Sequence, residues 1–341
     1  MLYFNSDYME GAHPLILERL LETNMEQTPG YGSDAYCAQA KDKIRKACNC
    51  PDAEIHFLVG GTQTNATVIK SLLRTYEGVL APTTGHISTH EAGAIEAGGH
   101  KVLELPQNHG KITAKQVEDY IETFRKDPSC AHQVKPGMVY ISHPTEYGTL
   151  YTKNELEQLS QVCKKYHIPL FLDGARLGYG LTAKDTDVTL EVIAKTCDVF
   201  YIGGTKVGAL FGEAVVMTKP RLIDNFFTII KQQGGLLAKG RLLGIQFDVL
   251  FSDDLYFNIA KHAIAMAQKL KQGFEEKGYP FYFDSPTNQQ FIILTDEQIK
   301  HLSENVSFGF WDALDDGRTV VRFATSWATQ EKDIDELLEL I

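Results

Sequence analysis

Pro169-Leu170-Phe171-Leu172-Asp173-Gly174-Ala175-Arg176 decides the fold: a short run, apolar on both faces, ends in a carboxylate, a glycine and a cation. A strand with no polar face needs helices on each side, which places it inside a parallel sheet. Val139-Tyr140-Ile141 upstream has the same character. Working outward, apolar runs bounded by Gly or Pro alternate with longer amphipathic stretches, the signature of βα units. Strands are expected at Ile55–Val59, Gly78–Ala81, Lys101–Leu105, Gly137–Ser142, Pro169–Leu172, Val199–Ile202 and Ala214–Met217. A helix is expected over Lys153–Tyr166, where Leu156, Leu159, Val162 and Cys163 recur at helical spacing. The pattern predicts an α/β domain with a mostly parallel seven-stranded sheet.

Beyond about residue 240 the texture changes. Asp254–Lys277 reads as one long helix, followed by short strands at Phe281–Phe283, Gln290–Leu294, Val306–Phe310 and Thr319–Ala324. The expected organisation is an N-terminal segment (1–32) with a helix at Pro14–Glu22, a large domain (33–240) and a small α+β domain (241–341). A chain of 341 residues accommodates two such cores at about 150 residues per domain. The net charge of −11 argues against a nucleic-acid partner, since no Lys/Arg run could neutralise a phosphate backbone. No stretch approaches about 18 uninterrupted apolar residues, so no membrane span is expected. Met1–Gly11 lacks a basic segment leading into an apolar one, and the six cysteines are scattered. Both point to a cytoplasmic protein with reduced thiols and no metal site.

Ligands of parallel sheets collect beyond the carboxyl ends of strands, and three strand ends stand out. Gly60-Gly61-Thr62 opens a helix expected over Asn65–Tyr76, where bare amides and the helix dipole favour phosphate. Alone, the turn is equally compatible with ordinary Thr/Asn capping. Asp173 ends a buried strand and needs a positive partner there, with Arg176 three residues on. Lys206 follows the strand Val199–Ile202 and the turn Gly203-Gly204-Thr205, where desolvation would make its amine a nucleophile. Pyridoxal 5'-phosphate requires a phosphate cup, an acid for its pyridine nitrogen and a Schiff-base lysine, and the chain supplies them in that order. His86, after the strand Gly78–Ala81, could lie on the ring face.

These elements resemble the threonine aldolase family of the fold-type-I pyridoxal-phosphate enzymes, the aspartate aminotransferase superfamily. Asn5-Ser6-Asp7, Pro29-Gly30-Tyr31-Gly32, Gly60-Gly61-Thr62, Gly85-His86-Ile87, Asp173-Gly174-Ala175-Arg176, Thr205-Lys206 and Val321-Arg322-Phe323 each resemble a family motif. The likeness implies aldol cleavage of L-threonine or L-allo-threonine to glycine and an aldehyde. A β-eliminating lyase, racemase or aminotransferase is the alternative. It implies cofactor contacts from Gly60, Gly61, Thr62, His86, Asp173, Arg176, Thr205 and Lys206, and substrate contacts from Ser6, Tyr31, Arg176 and Arg322. A homodimer or homotetramer with sites at the subunit interface follows from the same likeness.

One stretch departs from the family. Where common members carry a second histidine, this chain reads Ser142-His143-Pro144-Thr145-Glu146, so Glu146, His86 or His90 becomes the candidate base for the substrate hydroxyl. The glycine-rich stretch that bears a phosphate-contacting arginine in relatives reads Gln233–Arg241 here, leaving Lys239 or Arg241 for that role.

Overall fold

A computed structural model describes the whole chain, Met1–Ile341. Twelve strands form: β1 (Leu2–Tyr3), β2 (Glu54–Leu58), β3 (Glu77–Pro82), β4 (Val102–Leu105), β5 (Lys135–Ser142), β6 (Leu170–Asp173), β7 (Val199–Gly203), β8 (Glu213–Met217), β9 (Gln289–Leu294), β10 (Val306–Ser307), β11 (Gly309–Ala313) and β12 (Thr319–Ala324). Seven of them make one sheet in the order β2-β8-β7-β6-β5-β3-β4. Only β8 runs antiparallel to its neighbours; the other pairings are parallel.

Alternation along the central strands explains the sheet's double covering. Leu170 and Leu172 enter the core on one face with Val139, Ile141, Phe200 and Ile202. Phe171 enters the core on the other face with Met138, Tyr140, Val199 and Tyr201. The helix Lys153–Tyr166 sits on the first face, held at its start by reciprocal bonds between Thr152 and Glu155.

A third core joins β9 and β12 to β1, β10 and the helices Leu255–Glu276 and Glu331–Leu340. The long helix is common to two bodies. Tyr256, Ile259, Ala260 and Ala263 pack into the large core, while Met266, Leu270 and Phe274 pack into the small one. Side-chain packing thus passes from the large core to the small one within this helix. No helix is long and apolar enough to cross a membrane.

Several elements differ from the sequence reading. The helix expected over Asn65–Tyr76 runs Gly61–Leu72 instead, because extended Gly60 caps it directly after β2. Phe281–Phe283 makes only an isolated bridge, Phe281 to Ile292. The strand expected at Val306–Phe310 splits: β10 pairs with β1, and β11 pairs with β12. The N-terminal segment bridges both bodies, pairing β1 with β10 while His13 N–H donates to the Gly208 carbonyl at 2.8 Å.

Candidate active site

The carboxyl ends of β2, β5, β6 and β7 border one cleft of about 300 Å³. Its lining brings together Gly60, Gly61, Thr62, His86, Glu146, Asp173, Arg176, Thr205 and Lys206.

Asp173 ends β6 and is buried. Its Oδ1 accepts from the Tyr201 hydroxyl at 2.5 Å and the Ala175 N–H at 3.0 Å. Its Oδ2 accepts from the Tyr140 hydroxyl at 2.7 Å and the Asn65 amide at 2.9 Å. Burial pushes this carboxyl up, yet neighbouring His86 and the Tyr201, Tyr140 and Asn65 donors outweigh it and hold it below 3.8. Asp173 is therefore an anion at neutral pH.

Lys206 follows β7. Burial and the nearby Arg176 cation lower its ammonium to about 8, against the opposing pull of Asp7, Asp173 and Glu213. The Tyr179 hydroxyl holds the Lys206 carbonyl at 2.5 Å, and the Tyr8 ring lies 5.7 Å from Nζ. An amine so tuned is unprotonated about a tenth of the time at pH 7, far more than an ordinary lysine.

At the end of β2 the first bond outside the helical ladder is Thr64 N–H to Gly60 O, 3.0 Å. The amides of Gly61, Thr62 and Gln63 belong to the first turn, which has no partners within the helix. Gly61 is there for space: a Cβ would come within 3.2 Å of the Tyr201 hydroxyl.

His86 begins a short helix after β3, its Nδ1 2.8 Å from Glu91 Oε1. Asn65 bridges Glu91 (2.7 Å) to Asp173, so a hydrogen-bonded chain runs from His86 to the strand-end carboxylate. Glu146 accepts from the His86 N–H at 2.9 Å and from Ser142 Oγ at 2.7 Å through Oε1. Its Oε2 is buried without a partner, and burial raises its carboxyl above 4.5.

Two cations stand near one wall. Arg176 forks onto Asp7 at 2.6 and 2.9 Å, and Asp7 is also held by Asn288. Arg322 gives Nη1 to Gln289 and Nη2 to the Asn5 carbonyl, leaving Nε buried and unpaired. Ser6 Oγ is likewise buried and unpaired. Neither Ser6 nor Arg322 lines the cleft itself.

Other expected residues lie elsewhere. Tyr31 is 43% exposed and borders a separate cavity with Cys37, Lys41 and Phe227; Lys231 sits 4.4 Å from its ring. Its backbone is left-handed (φ 59°) ahead of Gly32. Arg241 is occupied by the carbonyls of Glu26 and Asn24, and Lys239 is exposed. His90 is exposed beside His86, ring centroids 5.8 Å apart.

Sequence reading passed over Tyr140, Tyr201, Asn65, Glu91 and Glu213. For the tyrosines the signal available was polarity inside apolar runs: Tyr140 stands between Val139 and Ile141, and Tyr201 between Phe200 and Ile202.

The residues fit pyridoxal phosphate on the structure's own terms: bare amides for a phosphate, an ionised Asp173 for a ring nitrogen, and a desolvated amine between them. Comparison with known proteins agrees. Residues 4–297 match the family model described as beta-eliminating lyase. A low specificity L-threonine aldolase from Pseudomonas sp. (strain NCIMB 10558) is 30% identical over 98% of this chain and 95% of its own. The solved threonine aldolase of Leishmania major is 44% identical, with a TM-score of 0.96 over 100% of this chain and 98% of that one. An aspartate aminotransferase from Thermus thermophilus, at 15% identity and a TM-score of 0.73 over 100% of this chain and 90% of its own, shares the fold. The chain belongs to the beta-eliminating lyase family of pyridoxal-phosphate enzymes, on its threonine aldolase branch.

Proposed function

We propose that this protein is an aldehyde-lyase that splits L-threonine or L-allo-threonine into glycine and acetaldehyde. One observation carries the reading: the strand-end acid, the desolvated lysine, the amide cup and an unpaired buried carboxylate share a single cleft. When bound, pyridoxal phosphate supplies the electron sink that weakens a bond at the substrate's Cα.

Lys206 would supply the amine that holds the cofactor, and Asp173 the carboxylate that faces its ring nitrogen. The first-turn amides of Gly61 and Thr62, with Thr205 nearby, take the phosphate. His86, oriented by Glu91, would be the side chain against which the cofactor lies. Arg322, with Arg176 and Ser6, would take the substrate carboxylate and so fix the substrate's orientation in the cleft. Arg176 must exchange its hold on Asp7 to do so.

Glu146 removes the proton of the β-hydroxyl. Its free Oε2 is buried, and the Ser142 hydroxyl and His86 N–H fix the carboxyl in place. A carboxyl raised above its usual value is a stronger base once ionised. His86 is the second candidate, through the nitrogen not engaged by Glu91.

The protein works as a homodimer or homotetramer in the cytoplasm. Support for association comes from the helix Pro14–Glu22 and the turn after it, where Leu15, Leu17, Leu21 and Met25 are 48%, 47%, 78% and 88% exposed. Incubating purified protein with each threonine isomer tests the activity: acetaldehyde with glycine is expected. A keto acid would replace the reading with elimination or transamination.

A further inference from the structure

The cleft holds one acid that the cleavage does not use. Glu213 opens β8, and pairing sets it opposite Leu58 of β2 on one side and Gly203 of β7 on the other. Gly60 and Gly61 lie just past Leu58, and Thr205 and Lys206 just past Gly203. The residue thus sits on the strand between the one that leads to the amide cup and the one that leads to the lysine, its backbone about 4.8 Å, one strand spacing, from each. Glu213 is 3% exposed and lines the cleft. Its Oε1 accepts from Thr205 Oγ1 at 2.9 Å, while Oε2 is buried with no partner.

A buried carboxyl oxygen left unpaired is costly unless something that enters the cleft pairs with it. Ionised, it would repel the anion that the neighbouring amides attract. Neutral, it has an O–H to give.

We propose that Glu213 completes the anion cup as an uncharged hydrogen-bond donor to the phosphate of the cofactor. The proposal rests on the reading of this cleft as a pyridoxal-phosphate site. Burial holds the Glu213 carboxyl up at about 8, against the Thr205 bond and the Lys206 charge, while Asp173 adds to the rise. The acid is therefore neutral at pH 7, and its donation is lost as the pH climbs through about 8. The titratable groups facing it are Lys206 beyond β7, Tyr201 on β7, Asp173 on β6 and Tyr256 on the long helix. Lys206 loses its own charge in the same range, so the two contributions must be separated.

Sulfate separates them, being a dianion throughout. Its binding to the full chain freed of cofactor is followed by calorimetry between about pH 6.5 and 9.5, in wild type and in Glu213→Gln. The amide keeps a donor and cannot ionise. Wild-type affinity is expected to fall about tenfold further than that of the variant across this range. The slope that remains in the variant belongs to Lys206. Equal slopes overturn the proposal. So does a variant that binds sulfate as wild type does but shifts the pH dependence of the holoenzyme's visible absorbance, since Glu213 would then serve Lys206. Should Glu213→Gln not fold, Lys206→Ala decides: without the Lys206 charge Glu213 titrates higher, so sulfate affinity must fall as the pH climbs beyond about 8, and a flat profile up to about pH 10.5 overturns the idea. Failure of wild type to bind pyridoxal phosphate at all would defeat the reading of the cleft itself.

Discussion

Lys206, Asp173 and Glu146 can be told apart by what each removal leaves intact. Lys206→Ala should abolish the visible absorbance of the bound cofactor along with turnover; a band that persists would refute the lysine's assignment. Asp173→Asn keeps the shape of the site but not its charge, so the cofactor should stay bound while kcat falls by about a hundredfold or more. The amide oxygen can still accept from one of the two hydroxyls that now donate to opposite carboxylate oxygens, while the other hydroxyl must turn to accept from the new NH2. Glu146→Gln should lower threonine cleavage by about 10²–10⁴. Its spectrum should not change, because Glu146 touches Ser142 and the His86 backbone and not the lysine. Wild-type cleavage should rise with pH as Glu146 ionises, through a value above the ordinary 4.5. Loss of that acidic limb in Glu146→Gln identifies the base, and an unchanged limb points to His86.

Among the elements, the central strands were the most legible. Leu170-Phe171-Leu172 has no polar face, and its side chains do enter opposite cores. The end of β2 was less so. Two glycines in succession read as a loop, yet Gly60 caps and Gly61 starts a helix, because the turn must pass beneath Tyr201. The division of the long helix between two cores was not legible at all. Ile259 and Leu270 share its apolar character, and periodicity does not say which partner a face will meet. Leu270 is fully buried in the small core, so Leu270→Ala should destabilise the protein by about 2–5 kcal/mol, measured by denaturant titration. Cofactor binding below the transition should be spared.

For the whole molecule, composition left the site invisible, because the decisive contacts join distant parts of the chain. Arg176 and Asp7 are 169 positions apart, and nothing local in Arg176 shows that its fork is already held. That pair also shapes the acid limit of stability. Although burial alone would raise it, Asp7 is held below its usual 3.8 by Arg176, Lys206 and Asn288. A depressed carboxyl stabilises the fold above its unfolded value and ceases to do so as the pH falls through the folded one. Thermal midpoints should therefore drop below about pH 4, and the drop should be smaller in Asp7→Asn. A sizing measurement should find at least a dimer, and Leu21→Glu on the exposed N-terminal helix should weaken it; a monomeric wild type would refute the assembly. The helix Leu255–Glu276 has a mechanical consequence. A rod whose two ends are embedded in different cores leaves no slack linker between them. Its first turn also holds the strand end that leads to Lys206, through the Tyr256 hydroxyl on the Gly203 carbonyl, so one stiff shaft connects the small core to that strand end.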